Sequence, residues 1–160
     1  MNGSARLPLF RSSGRQGFTQ GVLGNPRHVH ARKLEREVTV EFTPVPRLVQ
    51  TPEGEVLARA GDAILTGVGG EHWRVTRSHF AEKYDPVPPT QAGQPGRYRS
   101  RRYGVLALAM TEPFAVLLAD GLSRLHGRPG DWLVDYGDGS LGIVAPSIFA
   151  STYEIVSDGA

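Results

Sequence analysis

The chain has 160 residues, 39% hydrophobic and 21% charged, which suits one ordinary domain or two very small ones and excludes a large multidomain enzyme. Cysteine is absent, so disulfides, thiolate zinc sites, iron–sulfur clusters and cysteine nucleophiles are excluded, and 20 Gly with 12 Pro argue for short elements joined by turns. The net charge of +2 is a cancellation: residues 1–36 carry seven bases against Glu35, a net of +6, residues 89–104 hold four arginines and no acid, and the rest sums to −8.

Taken in chain order, residues 1–36 are rich in Gly, Ser and Arg and poor in apolar periodicity, which predicts a flexible basic tail. The tail lacks a secretory apolar core, and Val105 to Met110, the longest apolar run, is far shorter than the roughly 20 residues that cross a bilayer. A cytoplasmic protein with no membrane partner is expected.

The remainder carries an internal repeat. A shift of 69 lays Arg59–Val87 over Arg128–Val156 with ten identities, among them Gly61/Gly130, Asp62/Asp131, Phe80/Phe149 and Tyr84/Tyr153. At a shift of 67, Val38, Pro46, Val49 and Gly54 lie over Val105, Pro113, Val116 and Gly121. The predicted organisation is copy 1 over 37–88, a Pro/Gly/Arg linker over 89–104 and copy 2 over 105–158, with 37–158 forming one compact domain.

Each copy reads as strands and turns followed by one short helix. Val38–Phe42 alternates with period two, and Leu106–Met110 is its more buried counterpart. Glu53-Gly54 and Asp120-Gly121 supply hairpin turns, and Pro129-Gly130 suits the centre of a type II turn. Ile64-Leu65 and Trp132–Val134 form the next strand, which ends at Gly69-Gly70 or Asp138-Gly139. Ser78-x-Phe80-x-x-x-Tyr84 and Ser147-x-Phe149-x-x-x-Tyr153 place two aromatics one helical turn apart behind a serine N-cap, with a last strand from Val87 and Val156. The fold class expected is α+β, predominantly β: two tandem half-domains packed with pseudo-twofold symmetry, since neither half buries enough alone.

Thr51 to Gly67, Gly70-Glu-His-Trp73 and Phe80-x-x-x-Tyr84, with Pro129-Gly-Asp-Trp132 and Phe149-x-x-x-Tyr153, resemble the PGDYG family of bacterial and phage proteins, the motif region being present twice. The resemblance implies no activity.

The candidate ligand-binding residues are Asp62, Asp131, Glu71, His72, Trp73 and Trp132. Asp62 and Asp131 hold equivalent places, and a twofold axis could pair their carboxyls as an acid/base dyad; the simpler account is that each caps the turn before it. Glu71, His72 and Trp73 are the best ionisable set, although strand alternation separates Glu71 and Trp73 from His72. Trp73 lies over Gly142 and Trp132 over Ala63, so the large residue of one copy is expected to fill the space left by the small residue of the other, unless an indole lines a groove.

No catalytic residue, metal ligand or cofactor is assigned. The leading reading is a non-catalytic binding or accessory module that contacts another macromolecule, with a protein partner or self-association open. The first alternative is nucleic-acid association through the basic tail and Arg97, Arg99, Arg101 and Arg102, with Tyr98 and Tyr103 stacking on bases. The second is a small acid/base hydrolase.

Overall fold

A computed structural model describes residues 7–157 apart from residue 68. In chain order these form β1 (Leu9–Arg11), α1 (Gln20–Leu23), β2 (Val29–Lys33), β3 (Glu37–Phe42), β4 (Arg47–Thr51), β5 (Gly54–Ala58), β6 (Ala63–Thr66), β7 (His72–Val75), α2 (Arg77–Lys83) and β8 (Tyr84–Pro86). They continue with β9 (Gly96–Ser100), β10 (Tyr103–Ala109), β11 (Phe114–Leu117), β12 (Arg124–Gly127), β13 (Trp132–Asp135), β14 (Leu141–Val144), α3 (Pro146–Thr152) and β15 (Tyr153–Ser157). The fold is β-rich α+β, and among the described residues no helix is long and apolar enough to cross a membrane.

Two antiparallel five-stranded sheets dominate, with strand orders β7-β6-β3-β9-β8 and β14-β13-β10-β2-β15. Their inner strands come from places the sequence reading did not expect. Residues 7–36, expected to be a flexible tail, contribute β1, α1 and β2, and the expected linker contributes β9. β2 lies between β10 and β15, whereas β3, which follows it after three residues, belongs to the other sheet. β9 lies between β3 and β8, whereas β10 belongs to the other sheet. Each sheet is thus completed by the strand that precedes the other sheet's central strand, and the two units interlock. The basic composition hid a period-two pattern: Ala31 in β2, and Tyr98 and Ser100 in β9, are buried while the bases between them face outward. Backbone bonds seal both crossings, Leu34 N–H to Thr152 O at 2.8 Å and Arg101 N–H to Lys83 O at 2.7 Å.

β10 shows how alternation distributes the core. Leu106 and Leu108 enter an apolar cluster with Val22, Phe114, Val116, Leu133 and Ile143, and Val105 and Ala107 enter another with Ala31, Val134, Phe149 and Tyr153. In the other sheet Val40, Ala63 and Leu65 meet Phe80, Tyr84 and Tyr98, and Ile64 turns back onto Val49 and Ala58. The remaining strands form a β1-β11-β12 sheet, with β1 and β11 parallel, and the β4-β5 hairpin, which leans on β12 through His126 N–H to Glu53 O at 2.8 Å.

The repeated turns have matching geometry. Gly61 and Gly130 sit at φ 92° and 98°, where a side chain would be strained, and donate to Thr43 O and Met110 O, each at 2.7 Å. The helices start differently from expectation. Their N-caps are Thr76 and Ala145, neither with a side-chain cap bond, and Ser78 and Ser147 lie inside the first turn. In α2 the Arg77 N–H is received by Asp62 Oδ1 at 3.2 Å, and in α3 Pro146 opens the helix without needing that acceptor. Tyr84 and Tyr153 are already extended and begin β8 and β15, three residues before the expected last strands, yet their rings still stack on Phe80 and Phe149 at 4.8 and 4.9 Å.

The exchange of large and small residues also resolves differently, since it operates across ladders within each sheet. Phe42 opposes Ala63 between β3 and β6, and Ala109 opposes Trp132 between β10 and β13. Gly142 leaves room for Tyr136 of its own hairpin, whose ring lies 3.0 Å from where a Cβ would stand, and Gly67 leaves room first for the Glu71 carboxyl and then for Trp73. Cross-strand neighbours are the nearest partners a sheet residue has, so volume is balanced there first.

Candidate functional site

The interlocking of the sheets leaves a cleft of about 260 Å³ between α2 and β7 on one side and β2, β10, β14, α3 and β15 on the other. Much of its wall is apolar, with Val75, Ile143, Val144, Ala145 and Ile148 contributing. Trp73 lines it too, whereas Trp132 stacks on Phe149 at 4.0 Å.

One wall gathers four of the chain's five tyrosines around two lysines. Lys33, on β2, has Tyr103 and Tyr153 as its cross-strand neighbours, and its Nζ lies 5.0 Å from the centre of the Tyr153 ring. Lys83, at the end of α2, reaches across from the other unit; its Nζ lies 4.7 Å from the Tyr103 ring centre and 4.8 Å from that of Tyr136. It donates to Asp138 Oδ2 at 2.5 Å, and His79, four residues earlier on the same helix, has Nε2 at 3.5 Å from that oxygen. Asp138 also accepts from Ser140 Oγ and N–H, so this buried carboxylate joins the two units.

The environment shifts these groups in definite directions. Burial pushes the Tyr84, Tyr103 and Tyr153 hydroxyls well above their ordinary range and Tyr136 up to about 12, with neighbouring tyrosines adding to the effect for the first three. Burial, reinforced by the charges of Arg36 and Lys83, lowers Lys33 to about 8. For Asp138 burial acts upward, but the hydrogen bonds from Lys83 and Ser140 more than offset it and hold the carboxyl below the usual range. Glu53, at the β4-β5 tip and also on the cleft wall, rises to about 7 through burial and the charge of Asp131.

The residues singled out from sequence are divided. Glu71 and Trp73 line the cleft, whereas His72 is exposed and its Nδ1 lies 3.0 Å from Thr66 Oγ1. Arg74, although adjacent in the strand, also reaches the cleft wall; its guanidinium lies 3.9 Å from Asp62, and its Nε and the Thr76 hydroxyl are buried without a protein partner. Asp62 and Asp131 are taken up by turns, their Oδ2 atoms accepting from Arg59 and Arg128 N–H at 2.9 Å, and neither lines the cleft. Each carboxylate thus accepts a hydrogen bond within its own turn, and Asp62 accepts a second from Arg77 N–H.

The arginine stretch is also engaged. Arg97 and Arg99 flank Glu37 at 3.7 and 3.9 Å, Arg101 grips Asp85 through two nitrogens at 3.0 and 2.7 Å, and Arg102 lies 3.8 Å from Glu35. Tyr98 is buried and donates to Gln94 O at 2.6 Å, whereas Tyr103 is half-buried and belongs to the tyrosine wall. Lys33, Lys83, Tyr136 and Asp138 were the residues sequence reasoning missed as a set. They lie at three separate places in the chain, β2, α2 and the β13-β14 turn, and the only local signal was the apolar/polar alternation of Val29–Lys33.

The architecture is therefore that of a β-rich α+β protein with one aromatic, lysine-bearing cleft between interlocked sheets. Residues 54–154 match the family described as PGDYG protein, and the chain belongs to that family. No curated protein and no solved structure matches it.

Proposed function

We propose that the chain is a non-catalytic binding module, built from two related halves about a pseudo-twofold axis, that takes a small organic ligand in the cleft between them. The cleft carries this reading: a concave, largely apolar space with a few converging polar groups is how small-molecule sites are built. The matching strand orders, glycine turns and stacked Phe/Tyr pairs support the two-half arrangement. A space of this size suits a small molecule better than the macromolecular surface expected from sequence alone.

Trp73 provides the test, because it lines the cleft and Trp132 does not. In a Trp132→Phe chain, which keeps an aromatic ring against Phe149, titration with small aromatic probes such as 3-phenylpropanol and 3-phenylpropionate is expected to quench or shift Trp73 emission saturably. Emission that no probe alters up to millimolar concentration would overturn the reading.

A further inference from the structure

Building on that reading, we infer that the cleft's ligand is a small apolar monocarboxylate whose carboxylate is held by Lys33. Lys83 is already matched by Asp138, but Lys33 has no ion-pair partner among the described residues, and its nearest aromatic neighbour offers only a ring face. The groups facing Lys33 from the elements packed against it are Tyr103 on β10, Tyr153 on β15, Lys83 on α2 and Arg36 at the end of the β2-β3 crossing. None is an acid. Glu53, Glu71 and Asp138 line the same cleft from the β4-β5 tip, the approach to β7 and the β13-β14 turn, and among the described residues none forms an ion pair with Lys33, Asp138 being held by Lys83.

An ammonium withdrawn from water without a counter-ion is unfavourable, and burial together with the two neighbouring cations already lowers its affinity for a proton. A bound carboxylate relieves that imbalance by accepting a charge-assisted hydrogen bond from Lys33 Nζ. A single unpaired ammonium suits a monoanion, and Val144, Ala145 and Ile148 offer an apolar wall for the rest of the molecule. A neutral ligand of the same shape would gain the apolar contact alone.

The full-length Trp132→Phe chain is titrated at pH 7 with 3-phenylpropionate and with 3-phenylpropanol, reading Trp73 emission. The acid is expected to bind about tenfold more tightly than the alcohol. Lys33→Met should reduce that preference for acid over alcohol to less than about twofold. Should Lys33→Met not fold, the unaltered Lys33 chain decides the matter by pH: the preference should fall as pH rises past about 8, where Lys33 loses its proton while the raised tyrosines keep theirs. Equal binding of acid and alcohol, or a preference that survives Lys33→Met and high pH, would overturn the carboxylate assignment and leave the binding cleft standing. Absence of any response to either probe would overturn both.

Discussion

The two five-stranded sheets share one strand order and differ at one ladder position that matters. Opposite Tyr84 stands Ser100, and opposite Tyr153 stands Lys33. Ser100 is used for the backbone: its hydroxyl donates to Leu34 O at 3.2 Å and accepts from Arg36 N–H at 2.9 Å, fastening the crossing between sheets. Lys33 instead sends an ammonium group into the cleft. The same contrast recurs in the hairpins, where Asp138 aligns with Gly69 at the shift of 69. The two sheets share a strand order but not the groups they present: Lys33 and Asp138 bring charge to the cleft, where Ser100 fastens the backbone and Gly69 has no side chain.

The strongest way to break this comparison is to remove one exchanged strand. A chain lacking residues 1–34 loses β1, α1 with its buried Val22, and β2, whose absence leaves β10 and β15 with unpaired inner edges and strips one wall from the cleft. Loss of cooperative unfolding by circular dichroism is expected; a truncated chain that melts cooperatively would restore the flexible-tail reading. Next in size is the pair of equivalent aromatics. Phe80→Ala and Phe149→Ala each remove a buried ring stacked on a tyrosine, and each should cost about 3–5 kcal/mol in denaturant unfolding. Similar losses support equivalent roles in the two sheets, whereas a large loss in one and none in the other would separate them.

Asp138→Asn tests the side that carries the site. It leaves the Lys83 ammonium without its carboxylate in a buried setting and should destabilise the chain by about 3 kcal/mol at pH 7. Because the Asp138 carboxyl is held below its ordinary value, its contribution is present above about pH 4 and declines as pH falls through the folded-state value. The gap between the native and variant melting temperatures should close in acid; a gap independent of pH would mean the charge is not what Asp138 contributes.

How much of this was legible in sequence follows from where the signals lie. The hairpins and glycine turns were readable because period two and Gly-Asp chemistry are local, and Phe80/Phe149 were readable because the repeat marks them. β2 and β9 were not, because Val29–Lys33 and Gly96–Ser100 share only Arg32/Arg99 at the shift of 67 and their bases mimic a solvated tail. The cleft was less legible still. Lys33 and Lys83 are 50 residues apart in sequence, and only the exchange of strands, a non-local event, brings both onto one tyrosine wall. A groove-lining indole was one of two readings for the tryptophans, without a choice between Trp73 and Trp132, and the compensation expected between halves lies across single ladders, because the pairing register could not be known. Trp132→Ala should cost about 3 kcal/mol, and adding Ala109→Phe, which copies the Phe42/Ala63 pair, should recover about 1–2 kcal/mol of it. Strict additivity of the two changes would refute compensation across that ladder.

The smallest expected effect contrasts the two hairpin tips. Asp120 occupies the place in the β11-β12 turn that Glu53 has in β4-β5. Burial would raise Asp120, but it accepts from Ser123 Oγ and from the Leu122 and Ser123 N–H groups, which hold its carboxyl below the ordinary range. For Glu53 its own backbone N–H and the charge of Arg128 act downward, but burial and the nearby Asp131 outweigh them and lift it to about 7. A carboxyl whose folded value lies above its unfolded 4.5 opposes folding when ionised, fully above about pH 7, and ceases to do so as pH falls to about 4.5. Glu53→Gln should therefore stabilise the chain at pH 8, by about 1 kcal/mol once solvent on the open side of the cleft has screened the penalty, and should be neutral near pH 4. Asp120→Asn, which surrenders a well-bonded carboxylate, should destabilise at pH 8 instead. Thermal melts of both variants at the two pH values separate a tip built to hold a turn from one that leaves a carboxyl on the wall of the cleft.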